Sequence, residues 1–402
     1  MTHSLDVFSP AFKADPYPTY ARLRERAPVY RVDVDGKHGF WLVTRYADIV
    51  SVLRDPRFVK DFRHARTAEH QARMAPVPDV IRVLDQNMLA QDPPNHTRLR
   101  ALVQSAFSPR LVDSLRPRIE ALADRLIDRV QAAGQMDLIA DFAFPLPIGI
   151  IGALLGMPEH DQGRLREWSM AMVEADRSPA GLQRLVPSML AFSDYVARLV
   201  EDRRTAPAAD LITALVQAEE AGERLSQSEL FGMLFLLIVA GHETTVNLIG
   251  NGMLALLQHP DQRDLLRQRP TLIKPAIEEL LRFDGPVETS TARYAREDVD
   301  IGGVTIPRGA LVLVVIAAGD RDPHRFPDPD RLDISRDTTG HLAFGHGIHY
   351  CLGAPLARLE GQIAISTLLR RLPNLRLAVA ADHLEWRSGM LLRGLSRLPV
   401  AF

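Results

Sequence analysis

The chain has 402 residues, of which 46% are hydrophobic and 24% charged, with a formal net charge of −2. These proportions are typical of a soluble globular protein, and the near-neutral charge gives no indication of a nucleic-acid partner. The single cysteine excludes an intramolecular disulfide, so we expect a reducing, cytoplasmic location.

The first 60 residues predict a mixture of short helices and strands. Residues 1–18 are polar and interrupted by prolines, so we expect no signal sequence and no membrane anchor there. A helix is predicted to open at residues 15–18 and run to Arg26, followed by a strand at 40–44 and a helix at 46–53. Residues 61–90 are predicted to be irregular.

Helical periodicity dominates from residue 96 to about residue 270, with breaks at Pro109, at 144–147 and at Pro158. Later, residues 299–307 predict a hairpin and 311–316 a buried strand. No repeat or linker divides the chain, and the segments of chemical interest are scattered from 96 to 349. We therefore predict a single domain, residues 1–402, mainly α with a small β part.

A long central helix is the most strongly predicted element. Ser226 and Glu229 form a capping box, and Pro260 ends the periodicity after His259, which gives about 33 residues or about 50 Å. The segment Leu230–Ala240 is apolar on all sides but too short to span a bilayer. We expect a core helix.

Polar residues then interrupt this helix at 240–245, Ala-Gly-His-Glu-Thr-Thr. Thr244 or Thr245 could bond back to the carbonyl one turn earlier, with Glu243 in solvent. Alternatively, a carboxylate beside an alcohol supplies protons to a dry site, and Gly241 leaves room for a small molecule. On the hexapeptide alone, both interpretations are open.

The only cysteine lies in the run 344–353, which contains three glycines around it. Pro355 and the residues after it predict a helix, so Cys351 precedes a helix N-terminus, where the partial positive charge stabilises a thiolate. A lone cysteine is usually an inert, buried residue. A thiolate in a glycine-lined loop, however, suits axial ligation of haem iron.

Two motifs carry a resemblance to a known family. Residues 344–353, Phe-Gly-His-Gly-Ile-His-Tyr-Cys-Leu-Gly, match Phe-x-x-Gly-x-(Arg/His)-x-Cys-x-Gly at every defined position, and 240–245 resemble the pattern Ala/Gly-Gly-x-Asp/Glu-Thr. The chain resembles the soluble bacterial type of cytochrome P-450, a haem-thiolate monooxygenase, from Asp15 to Leu395. The resemblance implies the cytochrome P-450 fold, with haem b between the long helix and the cysteine loop and its helix, and an axial thiolate from Cys351.

The same resemblance implies roles for further residues. Thr244 would lie at the oxygen with Glu243 as its proton source. The other implied haem or oxygen contacts are His96, Arg100, Arg293 and His349 at the propionates, Ala240 and Gly241 beside O2, and Phe344 and Gly353 in the cysteine loop.

Glu279 and Arg282 have helical i, i+3 spacing, which alone predicts only an exposed ion pair. The resemblance implies instead a structural triad completed by Arg331, from the loop ahead of the cysteine. A planar guanidinium can bind a carboxylate in a fixed bidentate geometry, so such a triad could lock that loop.

The resemblance places the substrate pocket at the 61–90 loop, the 165–190 segment, the central helix and two late segments. The substrate contacts it implies are Phe235, Leu236, Val239, Glu288, Thr289, Met390 and Leu391. Most are apolar, which suits a small hydrophobic organic substrate, although Phe235 or Leu236 could equally be core. Glu288 could pair with a substrate amine, whereas a salt bridge to a loop arginine or exposure to solvent is its more ordinary role.

The predicted activity is insertion of one oxygen atom from O2 by hydroxylation or epoxidation, in bacterial secondary metabolism or catabolism. Because no Gly-x-Gly-x-x-Gly follows a strand, electrons are expected from a separate protein, and the resemblance implies that this is ferredoxin with ferredoxin reductase. Candidate arginines for docking an acidic ferredoxin are Arg98, Arg110, Arg358, Arg370 and Arg371. A peroxide-driven peroxygenase and a non-enzymatic haem sensor or carrier are the alternatives.

Overall fold

The computed structural model describes residues 7, 9–34, 39–66, 83–161, 163–165, 167–168, 171, 179–220 and 225–402. The chain is organised in two compact units. Unit 1 comprises Met1–Arg73, Glu120–Phe144 and Thr244–Phe402, and unit 2 comprises Met74–Ile119 and Pro145–Glu243. The single domain inferred from the sequence stays a prediction.

Helices make up most of the described chain, as predicted. They are α1 (Pro10–Ala14), α2 (Tyr17–Arg26), α3 (Tyr46–Arg54), α4 (Asn95–Ala106), α5 (Pro109–Ser114), α6 (Arg116–Gln131), α7 (Pro145–Leu154), α8 (Pro179–Thr205), α9 (Leu211–Glu220), α10 (Gln227–Gln258), α11 (Pro260–Gln268), α12 (Ile273–Asp284), α13 (Ile316–Gly319) and α14 (Ala354–Arg371). Pro109 and Pro145 each begin a helix, because the first turn needs no amide hydrogen from them.

The smaller β part lies in unit 1. Its strands are β1 (Val29–Asp33), β2 (Gly39–Val43), β3 (Phe58–Val59), β4 (Gln135–Asp137), β5 (Arg293–Ala295), β6 (Val299–Ile301), β7 (Val304–Ile306), β8 (Leu311–Val314), β9 (Arg376–Leu377) and β10 (Pro399–Ala401). They form a mixed sheet ordered β1-β2-β8-β5-β3, a sheet β4-β10-β9 and the hairpin β6-β7. The hairpin prediction is confirmed. Arg293 is the first residue of β5, where it pairs with Val312.

The two faces of the mixed sheet pack against different helices. Val43 of β2 packs with Ile49 of α3, whereas its neighbour Leu42 packs with Phe12 of α1 and Tyr20 of α2. Successive side chains of a strand point to opposite faces, so the run of buried residues in β2 marks a strand covered on both sides.

The start of α10 confirms the predicted capping box. The amide of Ser226 donates to Oε2 of Glu229 at 2.8 Å, and the amide of Glu229 donates to Oγ of Ser226 at 3.2 Å. By length and composition α10 could cross a membrane, but 61% of its most apolar window is buried in the protein. This burial is typical of the core helix of a globular fold.

A buried network of charges holds the N-terminal helices to the rest of unit 1. The ammonium of Lys13 pairs with Oε2 of Glu288, and the hydroxyl of Tyr20 donates to Oε1 of Glu288 at 2.6 Å. Arg393 donates to the carbonyl of Lys13 and to Oδ1 of Asp284, each at 2.6 Å. Lys13 and Glu288 are at most 1% exposed, and burial lowers the pKa of Lys13 despite the facing carboxylate.

Removal of one charge from this network is therefore expected to be costly. Lys13→Met should lower the free energy of unfolding by about 3 kcal/mol, because Glu288 is left without a counter-charge in a dry site. The double variant Lys13→Met/Glu288→Gln should recover part of this loss, since its carboxylate is also gone. Urea unfolding measures the free energy of unfolding of both variants. Equal stability of the single variant and wild type would contradict the buried ion pair.

Candidate active site

One face of α10 stays accessible in the middle of an otherwise buried helix. Leu236, Ala240 and Thr244 are four residues apart and therefore lie on one stripe. Ala240 is exposed and the other two are half-buried, as are Phe235 and Val239. An apolar surface with one hydroxyl thus faces outward from the helix.

Gly241 allows two helices of unit 2 to approach closely. A Cβ atom added to Gly241 would lie 3.1 Å from Cδ1 of Ile151 on α7, which is tighter than ordinary contacts. The missing side chain therefore accommodates Ile151, and the space for O2 expected at Gly241 stays a prediction. The small Ala240 lies on the accessible stripe.

Glu243 does not face solvent but pairs with its neighbour His242. Oε1 of Glu243 is 3.4 Å from Nε2 of His242, and both side chains are at most 2% exposed. Nδ1 of His242 lies 2.7 Å from the carbonyl oxygen of Ile238. A carbonyl only accepts, so Nδ1 carries a hydrogen, and Nε2 is the ring atom that faces the carboxyl group of Glu243. The hexapeptide had not led us to a role for His242, although its spacing from Ile238 is one helical turn.

Positive φ angles shape the cysteine loop of unit 1. Gly345 and Gly347 have φ values of +72° and +75°, and a Cβ atom at Gly347 would lie 2.7 Å from the carbonyl oxygen of Leu53. The amide of Cys351 donates to the carbonyl of Phe344 at 2.9 Å. Gly353 is the N-cap of α14, so Cys351 lies next to the positive end of that helix.

These features fit a thiolate ligand for haem iron. Cys351 is only partly buried, unlike an inert core cysteine, so its sulfur can be reached. A Cβ atom added to Gly353 would lie 3.9 Å from Sγ of Cys351. Any side chain at position 353 would therefore begin beside the sulfur, and glycine has none. A thiolate at a helix N-terminus is the donor that haem-thiolate proteins use.

The predicted propionate contacts are found in both units. In unit 2, His96 is buried on α4 with Arg100 one turn further on. Burial and then the positive charge of Arg100 lower the pKa of His96, which favours the neutral imidazole. In unit 1, Arg293 is buried at the start of β5, and His349 ends the short 3₁₀ helix Gly347–His349. Their contacts with haem stay predictions.

Glu279 and Arg282 form a fully buried bidentate pair with distances of 2.7 and 2.9 Å. The predicted third member was wrong. Arg331 is 68% exposed and pairs with Asp333, whereas Nε of Arg336 contacts Oε1 of Glu279 at 3.3 Å. The amide of Asp333 also donates to this Oε1 at 2.9 Å, so the turn at 333–336 brings Arg336 inward.

The late substrate-contact predictions are corrected in part. Both carboxylate oxygens of Glu288 are bonded to Lys13 and Tyr20, so neither a substrate amine, a loop arginine nor solvent is its partner. Thr289 is buried and donates to the carbonyl of Met390 at 3.0 Å. The Met390 side chain packs in the core beside Phe12 and Tyr20.

Leu391, in contrast, is 43% exposed and stays a candidate contact. The predicted pocket loop at 61–90 and the segment at 165–190 lie partly outside the described residues, at 67–82, 166, 169–170 and 172–178.

Most of the predicted docking arginines are neutralised by nearby carboxylates. Arg98 pairs with Glu229, and Arg358 pairs with Glu278 at 2.7 Å. The remaining partners are Asp124 for Arg370, and Asp124 and Asp128 for Arg371. The positions of these arginines in the sequence had suggested a positive surface. The ion pairs reduce the positive charge of that surface.

Glu360 of α14 is a buried acid that the sequence did not single out. It is 1% exposed, and its carboxyl oxygens have no hydrogen-bond partner of ordinary geometry among the described residues. Burial raises its pKa to about 8, against a smaller lowering by the hydroxyl of Thr245. Glu360 is therefore neutral at pH 7.

The chain is similar to known proteins in sequence and in structure. A family model described as Cytochrome P450 matches residues 265–375. Cytochrome P450 107B1 of Saccharopolyspora erythraea is 49% identical over 400 residues, which are 98% of this chain and 96% of that protein. The cytochrome P450 monooxygenase PikC of Streptomyces venezuelae is 50% identical over 392 residues, 97% of this chain and 91% of that protein. The solved structure of the myxobacterial cytochrome P450 CYP267B1 in complex with myristic acid has a TM-score of 0.93 and 46% identity, over 99% of this chain and 98% of that chain.

The two arginines near Glu279 offer a matched test. Arg336→Ala should lower the free energy of unfolding by about 2–3 kcal/mol, because it removes a charged partner of a buried carboxylate. Arg331→Ala should change it by less than about 0.5 kcal/mol, as for an exposed residue. Chemical denaturation of both variants checks this, and equal losses would contradict the assignment of Arg336.

Glu360 predicts a pH dependence of stability. Its pKa is about 8 in the folded chain and 4.5 ordinarily. Between these values the folded state keeps a proton that the unfolded state has released, so this group makes the free energy of unfolding fall as pH rises. Glu360→Gln should remove that fall, which urea titrations at pH 5 and pH 8 would reveal. An unchanged slope between the two pH values would show that Glu360 is not the group responsible.

Proposed function

The chain belongs to the cytochrome P450 family and is a haem-thiolate monooxygenase, and from this premise we propose that it oxidises a small hydrophobic organic molecule. One atom of O2 enters a C–H bond or a double bond, and the other leaves as water. When bound, haem b supplies oxygen activation at its iron, which the Cys351 thiolate supports by donating electron density. The observation that carries the proposal is the accessible stripe Leu236–Ala240–Thr244 on α10.

In this proposal Thr244 and Glu243 deliver protons. The hydroxyl of Thr244 lies on the accessible stripe, and Glu243 precedes it in a dry environment. The carboxyl group of Glu243 faces Nε2 of His242, and both side chains are shielded from bulk water. A rotation of the Glu243 side chain would bring a proton carried on its carboxyl group to Thr244, and the imidazole would stabilise the carboxylate left behind.

The chemistry of the exposed side chains favours an apolar substrate. Phe235, Leu236 and Val239 of unit 2 are half-buried on α10. In unit 1, considered by itself, Leu391 is 43% exposed. The hydroxyl of Thr289 and the carboxylate of Glu288 are hydrogen-bonded to other groups of the protein, so neither is available to a ligand. A surface of this kind binds by excluding water. The solved relative bound to myristic acid also holds a molecule with a long apolar chain.

We further propose that electrons come from ferredoxin and ferredoxin reductase in a bacterial cytoplasm, within secondary metabolism or catabolism. The sequence contains no Gly-x-Gly-x-x-Gly after a strand to bind a nicotinamide or flavin dinucleotide. A separate redox protein therefore suits the chain. The named relatives from Saccharopolyspora and Streptomyces are bacterial, which supports this setting.

The proton-delivery role predicts a specific defect. In Thr244→Ala, product formed per NADPH consumed should fall roughly tenfold or more, with the missing electrons recovered as hydrogen peroxide, because O–O cleavage lacks its proton donor. A hydrophobic ligand that shifts the haem spin state serves as substrate. Product and peroxide are measured together with a ferredoxin and its reductase.

Thr245→Ala is the matched control, since the Thr245 hydroxyl is buried beside Glu360 and should matter little for coupling. If Thr244→Ala kept its product yield, and hydrogen peroxide drove wild-type turnover equally well, the peroxygenase alternative would replace the proposal. If neither O2 with the redox proteins nor hydrogen peroxide gave product with any ligand that shifts the spin state, the alternative of a non-enzymatic haem sensor or carrier would replace the proposal.

A further inference from the structure

Three separate elements of unit 1 meet at Glu278 of α12. Arg358 of α14 donates from Nε to Oε1 at 2.7 Å and from Nη2 to Oε2 at 2.8 Å. His341, from the segment before the cysteine loop, lies with Nε2 3.0 Å from the same Oε2. We call these three residues the Glu278 clamp. A bidentate guanidinium fixes orientation as well as distance, so the clamp sets the position of α14 against α12.

The proton positions within the clamp follow from its hydrogen bonds. The amide of Ala343 donates to Nδ1 of His341 at 3.3 Å, so Nδ1 is an acceptor and Nε2 carries the hydrogen donated to Glu278. Burial alone would raise the pKa of Glu278, but the bonds from His341 and Arg358 outweigh it and lower the pKa to about 2. The clamp is thus a carboxylate with a guanidinium, completed by an imidazole donor.

Arg358 connects the clamp to the cysteine loop. Its guanidinium carbon is 4.4 Å from the centroid of the Phe344 ring, within cation–π range, and Nη1 donates to the hydroxyl of Tyr350 at 3.4 Å. The carbonyl of Phe344 accepts the amide hydrogen of Cys351. Arg358 therefore contacts the first residue of the cysteine loop and the residue immediately before Cys351.

We propose that the Glu278 clamp positions the cysteine loop so that Cys351 stays bound to haem as a thiolate. Arg358 is a positioning residue that acts through Phe344 and Tyr350. Its charge is matched by Glu278, so its main contribution is to the loop and not to docking of an acidic redox partner. The clamp should slow release of the thiolate, because the loop cannot move away while Phe344 and Tyr350 are held.

The test follows the red-shifted Soret band of the dithionite-reduced, carbon monoxide-bound holoenzyme over time in moderate urea. Arg358→Ala and Glu278→Gln should lose this band roughly tenfold faster than wild type, a factor that corresponds to about 1.4 kcal/mol. Arg358→Lys keeps the charge but not the bidentate fork, and should lie near Arg358→Ala. Far-UV circular dichroism recorded in parallel reports global unfolding.

Arg371→Ala is the control, because Arg371 is also on α14 but pairs with Asp124 and Asp128. The proposal predicts loss of the thiolate band ahead of helical signal in the clamp variants alone. Equal band lifetimes in Arg358→Ala and wild type would overturn it. So would full rescue by Arg358→Lys, which would indicate a role of charge only, or an equal effect of Arg371→Ala, which would indicate general weakening of α14.

Discussion

The constraint on which the segment leading to the cysteine loop depends is the buried ion pair Glu279–Arg282. Two charges removed from water cost several kcal/mol each, and that cost is offset only when every remaining donor and acceptor is used. Nη1 of Arg282 donates to the carbonyls of Asp320 and Pro329, each at 2.9 Å. Oε1 of Glu279 receives the amide of Asp333 at 2.9 Å. The pair thereby orders a loop that would otherwise have no regular structure.

The two adjacent glutamates of α12 hold two different stretches of chain. Consecutive residues of a helix point about 100° apart, so Glu278 and Glu279 cannot serve the same neighbour. Glu279 binds Asp333 and Arg336, and Glu278 binds His341 and Arg358. One helix therefore supports the approach to Cys351 from both sides. This explains why a short glycine-rich loop, with little hydrophobic surface of its own, can have a defined shape.

Features governed by neighbours in the sequence were predicted well. The capping box at Ser226, the end of α10 before Pro260 and the hairpin β6-β7 all follow from spacing or turn chemistry within a few residues. The general fold and the identity of Cys351 as a ligand came from motifs of the same local kind, which the family comparison supports.

Pairings between distant residues were not predictable in this way. Glu288 is 275 positions from Lys13, and nothing in either local sequence indicates the other. Arg331 and Arg336 are both loop arginines near the cysteine, and only the turn at Asp333 decides which one reaches Glu279. Arg358 was interpreted as a docking cation because a sequence shows charges but not their partners.

Three glutamates show how environment decides the chemistry available to one residue type. Glu278 faces a guanidinium, which never gives up its proton, so its carboxylate stays ionised and structural. Glu360 has no charged partner among the described residues and holds its own proton. Glu243 faces an imidazole, a group that takes up and releases protons near neutral pH, and precedes the hydroxyl on the accessible stripe of α10. Among these three acids, Glu243 alone has both an imidazole partner and a place beside that stripe, which is why proton delivery is proposed for it.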